Sequence, residues 1–344
     1  MKIMKRTLAL LLSLILVASL VIFVSAEETR AEEYHWRMAI EATETSPSAV
    51  VYNTFKENLE KLSDGRITLD LYFSGTLGKG AEIAEMVKAG AIEIAVIPKT
   101  NAASYFPMSD IISLPFLATG GFTMSYEIAT ALHEYGFLDE LDDGWHLLYV
   151  QSTAALVLST KKPIEKPDDL KGLTISATST GVTKILNELG ATGTSINSTE
   201  VFQSLQTGVI DGCVSGPIPT LNNGYCDEAS NLMNYGISGD LSYTLISDVV
   251  WQTLPDDLKL VVKEAANYAQ FQYMDVMYAN TKASIQKMID KGINVYTPSE
   301  EVIDALLTAA EPVWQEVVDD LTAKGYNAQD ALEAAKAVVE RCGG

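Results

Sequence analysis

From Glu33 onward, polar and apolar positions fall into two rhythms, a period of two and a period near 3.6, and their order predicts the elements. Trp36–Ala42 reads as a strand. Ser46-Pro47 opens a helical run that reaches Leu62 and stops at Asp64-Gly65. Arg66–Phe73 alternates, with Ile67, Leu69, Leu71 and Phe73 on one side and Thr68, Asp70 and Tyr72 on the other, which makes a half-buried strand. Ala81–Ala89 is helical, Gly90 ends it, and Ile92–Ile97 is the next strand. Strand, helix, strand, helix, strand with short connections predicts an α/β unit with a largely parallel sheet.

The rhythm restarts after residue 145. His146–Gln151 and Ala154–Ser159 read as strands, Lys166–Leu170 as a helical turn and Leu173–Ala177 as a strand. Val182, Ile185, Leu186 and Leu189 keep helical spacing up to Gly190. Thr192–Ile196, a helix over Glu200–Thr207 and Val209–Ser215 complete a second α/β unit, with no sequence repeat linking the two. Ser242–Val250 reads as a further strand. Pro255 then opens the longest helix, through Asp290, with Leu258, Val261, Val262, Ala265, Tyr268, Ala269 and Gln272 on one face. At ~1.5 Å per residue such a helix spans about 54 Å, more than one small domain needs, so it is expected to run across both units. A strand at Ile293–Tyr296 and helices over 299–323 and 327–341 end the chain.

The first 26 residues differ in kind. Lys2, Lys5 and Arg6 precede an apolar run over Leu8–Val24, and Val24-Ser25-Ala26 offers small residues at a cleavage point. That is the layout of a secretory signal peptide; for a run of about 17 residues the alternative is an uncleaved anchor. No cysteine lies near the cleavage point, so a lipid anchor is not expected. Removing residues 1–26 leaves 21 basic against 45 acidic residues, a net charge of −24 over 318 residues. A body that acidic repels phosphate backbones and anionic lipid, which sets nucleic-acid binding aside. The expected location is therefore the periplasm. Cys213 and Cys226 would close a short disulfide loop in that compartment, or stay as isolated thiols alongside Cys342.

An exported α/β chain of this size suits a hydrolase, but the parts are missing. His35, His133 and His146 have no ligand-type neighbour at helical spacing, and neither a zinc-protease helix nor a nucleophile elbow occurs. Gly75-Thr76-Leu77-Gly78-Lys79-Gly80 lacks the glycine spacing and the hydroxyl of a phosphate loop. What remains is a two-lobed α/β chain without a catalytic constellation or an implied cofactor, which suits a cleft that closes on a small ligand.

Several stretches sharpen this reading. They are Ser74–Gly78 followed by a helix and Gly90-Ala91-Ile92-Glu93, Leu114-Pro115-Phe116-Leu117, and Lys162-Pro163-Ile164 with Pro167–Leu173. They continue through Leu189-Gly190-Ala191, Glu200–Gly212, Trp251 and Leu254-Pro255. Together they resemble the extracytoplasmic solute-binding proteins of TRAP transporters, of the dicarboxylate-binding type. The resemblance implies a two-lobed periplasmic binding-protein fold, a hinge of crossing strands, a long helix spanning both lobes, and a monomer that delivers its ligand to a membrane permease. The expected division is lobe I over 27–152 plus 241–281 and lobe II over 153–240 plus 282–344. A ligand sensor for a membrane receptor would use the same fold, and an enzyme on this scaffold would need the constellations missing above.

The departures bear on the ligand. In typical members the strand after Lys-Gly-Leu carries an arginine that forks onto a carboxylate; here Ser176 occupies that position. A second arginine used by some members falls at Ala155-Leu156 and is missing too. After Asp211-Gly212 the chain has Cys213-Val214-Ser215. The family's other pocket positions fall on Glu41, Pro98, Lys99 and Ser198. The expected ligand-binding set is thus Glu41, Pro98, Lys99, Leu156, Ser176, Ser198, Val214 and Ser215. A carboxylate buried without a paired cation costs several kcal/mol, so a neutral, aromatic or amine-bearing ligand is expected. The competing reading is a monocarboxylate held by Lys99.

Overall fold

Two sheets, each with its own strand order, organise the chain in a computed structural model that describes residues 32–342 apart from Gly121, Thr178 and Asp240. The expected signal segment lies outside the described residues. The first unit runs β1 (Tyr34–Ile40), α1 (Ala49–Leu62), β2 (Ile67–Tyr72), α2 (Ala81–Lys88), β3 (Ile94–Pro98), α3 (Phe122–Glu134) and β4 (Trp145–Ser152). The chain crosses to β5 (Val157–Thr160), β6 (Thr174–Ser176), α4 (Thr180–Glu188), β7 (Thr192–Thr194), α5 (Ser198–Thr207) and β8 (Gly212–Ser215). The short helices α6 (Pro217–Asn222) and α7 (Tyr225–Glu228) lead to β9 (Asn231–Met233). After it come β10 (Leu241–Ser247), α8 (Asp248–Thr253), α9 (Asp256–Asp290), β11 (Asn294–Tyr296), α10 (Glu300–Ala323) and α11 (Ala328–Arg341).

The sheet orders are β2-β1-β3-β10-β4 and β11-β9-β5-β8-β6-β7. In each sheet all strands but one run in the same direction, as expected of a largely parallel sheet, and every antiparallel pairing involves β5 or β10. Those are the two strands that receive the chain from the other lobe, so they alone run away from the edge where the lobes meet.

The first sheet is buried on both faces. Met38, Ile40, Ile94, Val96 and Tyr149 pack beneath α1 and α9, while Ala39, Ala95, Ile97, Val150 and Tyr243 pack beneath α2 and α3. Strict alternation along β1 and β3 thus serves two cores at once, which is why these strands read as near-continuous apolar runs. The second sheet is buried likewise: Leu158, Ile175 and Val214 sit on the α4 and α10 side, and Cys213 faces Val201 and Leu205 of α5. Cys213 and Cys226 are both buried free thiols, so the short disulfide loop is not formed.

Three elements differ from expectation. The strand expected over 242–250 stops at Ser247, where Ser247–Asp248 turn into α8. On α9 the buried stripe is Leu258, Val262, Ala265, Ala266, Ala269, Gln270 and Tyr273, and Tyr268, expected inside, is exposed. Residues 328–341, assigned above to lobe II, pack elsewhere: Ala328, Ala331, Leu332, Ala335 and Val338 of α11 join the first lobe's core with α3 residues Ile128 and Leu132. An alanine-rich face lets α11 lie close on α3, and that fit draws the chain's last helix back to lobe I.

Candidate ligand-binding cleft

Strands β1, β2 and β3 are parallel and end at one edge of the first sheet; β6 and β8 are parallel and end at one edge of the second. From Ser152 at the end of β4 to Val157 at the start of β5 is five residue steps, at most ~18 Å of chain. Those two edges are therefore held close across a cleft, with segments 153–156 and 234–239 crossing at its base and α9 packed on both lobes.

On the first lobe's side, Glu41 follows β1. Its Oε1 accepts from the Gly80 amide at 2.5 Å and its Oε2 from Asn101 Nδ2 at 2.5 Å. The carboxylate closes the entry to α2, where a negative charge suits the helix dipole. Gly80 has φ +51°, and a Cβ there would stand 2.5 Å from the Asn101 carbonyl oxygen. The glycine-rich stretch 75–80 therefore docks on its own lobe, and its last amide is already bonded.

Lys99 follows Pro98 at the end of β3 and is 7% exposed. Its ammonium pairs with Asp110 and lies 3.5 Å from Ser113 Oγ. The loop that brings Asp110 is anchored in turn by Glu140, whose carboxylate accepts from the Met108 and Ser109 amides at 2.9 and 3.0 Å and from Ser109 Oγ at 2.8 Å. Tyr243 Oη donates to the same Ser109 hydroxyl at 2.7 Å. Burial pushes the Glu140 carboxyl up to about 7, against the opposing effect of those three donors.

On the second lobe's side, Ser176 ends β6 in register with Cys213 and is buried. Ser215 ends β8 two residues after Cys213, so Ser176 and Ser215 share the sheet face toward α5. Val214 points the other way into the core with Leu158 and Ile175. Ser198 opens α5, is exposed, and its carbonyl accepts from Tyr225 Oη at 2.6 Å. Leu156 sits in the crossing segment, its amide bonded to the Ser238 carbonyl at 2.8 Å.

At the base of the cleft lies a cavity of about 400 Å³. It is lined by Pro47 and Ser48 from the first lobe, Thr153, Ala154 and Leu156 from the crossing, Gly216–Pro219 from the second lobe, and Tyr273 and Met277 from α9. Among the described residues that line it, none is charged. Of the eight expected residues only Leu156 reaches this cavity. Pro47, Ile218, Tyr273 and Met277 escaped the sequence reading, although Gly216-Pro217-Ile218-Pro219 directly after a strand was a visible signal of a turn into the cleft.

The arrangement of two sheets, crossing segments and spanning helix can be set against known proteins. Residues 38–320 match the family described as DctP, bacterial extracellular solute-binding protein, family 7. The chain belongs to this family. It is an extracytoplasmic, periplasmic solute-binding protein of TRAP transporters, and the family consists of transport binding proteins rather than enzymes. Among its relatives, a solute-binding protein of Chromohalobacter salexigens is 23% identical over 298 residues, covering 85% of this chain and 87% of the relative. The ectoine-binding periplasmic protein TeaA of Halomonas elongata is 24% identical, covering 93% and 95%. Among solved structures, a TRAP periplasmic solute-binding protein of Rhodobacter sphaeroides in an apo open form superposes with a TM-score of 0.81 at 22% identity, covering 89% of this chain and all of that one.

Proposed function

We propose that this solute-binding protein captures a small neutral or amine-bearing organic molecule with an apolar or aromatic body, and delivers it as a monomer to a TRAP-type membrane permease. The observation that carries the ligand class is the state of the cations. The positions expected to hold arginine are Ser176 and Leu156, and the one lysine expected to replace them, Lys99, is already paired with Asp110. A ligand carboxylate would have to displace Asp110 or stay unpaired, and the second costs several kcal/mol. The uncharged lining of the basal cavity supports the same reading.

Glu41 would then face an amine at the upper wall while Ser176, Ser198 and Ser215 offer hydroxyls from the other lobe. Tyr273 and Met277 give the apolar body a soft, polarisable floor. The name of the ectoine-binding relative shows that the family is not confined to dicarboxylates. Closure follows the usual linkage: a ligand favours the closed arrangement only as far as it binds that arrangement better.

Thermal shift of the chain from residue 27 onward, which contains every described element, tests the proposal against compounds grouped by charge. Saturating neutral or amine ligands should raise the midpoint by several degrees, since a ligand at a hundred times its Kd adds ~2.7 kcal/mol. Aliphatic carboxylates should leave it unmoved. A clear shift with an aliphatic carboxylate alone would overturn the ligand class and put Lys99 at the centre of the site.

A further inference from the structure

The crossing segments have a second side. Along 153–157, Thr153 and Leu156 line the front cavity, Ala155 and Val157 line a larger cavity of about 660 Å³ on the other side, and Ala154 lines both. Its remaining walls are Thr119 and Gly120 before α3, Asn234–Gly236 of the return crossing, Pro217, and the stretch of α9 from Tyr278 to Gln286. Both crossing segments and the spanning helix, which carry the chain between the lobes, thus meet around one space. Gly236 shows how closely they meet: a Cβ there would stand 2.6 Å from the Thr119 carbonyl oxygen and 3.0 Å from Ala155 Cβ.

The chemistry of the walls is lopsided. Lys282 is the single ionisable cation in the lining and no acid lines it, in a chain whose net charge is −21. Among the described residues no carboxylate pairs with Lys282; its ammonium lies 5.9 Å from the centre of the Tyr278 ring. Beside it the Thr281 hydroxyl oxygen is buried with no hydrogen-bond partner, an open polar position in the wall. Tyr235, stacked on Phe116 at 6.2 Å, and Ile285 supply apolar surface, and the Asn234 amide adds a further polar group. A volume of this size with a mostly apolar wall and a few polar groups is what a small organic ligand requires.

We propose that this rear cavity is a second binding site, for a small aromatic anion whose charged head meets Lys282 and Thr281, and that its occupancy biases the lobe arrangement. Lobe rotation moves the crossing segments against α9 and reshapes the cavity. An occupant that fits one arrangement better must shift the equilibrium toward it, and by reciprocity must change affinity at the front cleft. The coupling rests on reading the front cleft as the capture site; the rear site itself does not.

The probe is anilinonaphthalene sulfonate, an aromatic anion whose emission rises in apolar surroundings, titrated into the chain from residue 27 onward. Saturable one-to-one binding is expected, weakened about ten-fold or more by Lys282→Glu, which loses a charge-assisted contact. Ile218→Trp, which fills the front cavity, should leave that affinity unchanged. Absence of saturable binding, equal binding by Lys282→Glu, or loss of binding in Ile218→Trp would each overturn the rear site. For the coupling, spin labels at Thr76→Cys and Glu200→Cys in a Cys342→Ser background report the lobe-to-lobe distance. A changed distance distribution at saturating probe is expected. An unchanged distribution alongside intact binding overturns the coupling and leaves the site standing.

Discussion

Glu41 and Lys99 stand at neighbouring strand ends with opposite charges, and each is already engaged by its own lobe. Glu41 holds the Gly80 amide and the Asn101 side chain, yet a carboxylate has lone pairs for a further donor. Lys99 is itself buried and is neutralised by Asp110, whose carboxylate is half exposed, so its charge is already matched within the lobe. The proposed preference for a cationic or neutral ligand over an anionic one rests on this asymmetry. Gly80 makes the first residue-scale prediction. Gly80→Ala meets the Asn101 carbonyl and a left-handed backbone together, whereas Gly65→Ala, at φ +76° with nothing within 4 Å, meets only the backbone cost of ~1 kcal/mol. Chemical denaturation should therefore show the Gly80 variant losing clearly more stability; equal losses would mean that the Asn101 contact relaxes freely. The cysteines make another. Burial pushes the Cys213 thiol up to about 12 and encloses Cys226, while Cys342 is exposed. Alkylation of the native protein near pH 8 should modify Cys342 alone, and rapid modification of a second thiol would contradict the packing.

At the scale of elements, Glu140 ties the 108–113 loop to the turn before β4, and Trp145 at the start of that strand donates to the Glu140 carbonyl at 2.9 Å. Its carboxyl pKa is raised by folding, so the protonated form is the one the fold favours. Its contribution is present at acid pH and is lost as the pH rises through about 7. Relative to Glu140→Gln, the native protein should lose on the order of 2 kcal/mol between pH 5 and pH 8. Urea denaturation of both chains at the two pH values measures the difference, and parallel stability curves would show that Glu140 does not titrate there. Helix α3 illustrates a different point. Its buried face mixes Met124, Ile128 and Leu132 with Ala129, Ala131 and Ser125, so its apolar contrast is weak and the periodicity of 98–145 went unread. The turn around Phe116 was visible as a motif, but its work was not. Phe116 takes φ +63°, its amide bonds the Ile237 carbonyl at 2.5 Å, and its ring stacks on Tyr235 of the return crossing.

At the scale of the whole molecule, the 35-residue α9 packs on α1 and β4 in one lobe and on α6 and β11 in the other. α10 does the reverse service, with Leu306 and Ala310 in the second core and Val318 and Leu321 in the first. Lobe movement therefore has to bend or slide helices as well as strands, which limits it to arrangements that both cores tolerate. A smaller radius of gyration by solution scattering is the expected response to a front-cleft ligand. A ligand that raises the melting midpoint without any compaction would argue for capture without closure.

The sequence by itself determined the class of the molecule. Period-two and period-3.6 patterning placed nearly every long element, because each of those elements buries one stripe or two faces and must encode that in spacing. The same reading anticipated that the longest helix would outreach one lobe. What the sequence left undecided was everything set by contact between distant segments. That α11 returns to lobe I, that Lys99 is consumed by Asp110, that Val214 faces a core while Ser215 ends β8, and that the 153–157 crossing borders two adjoining cavities all depend on which side chains meet. Such meetings depend on packing across the chain, and only the tertiary structure decides them.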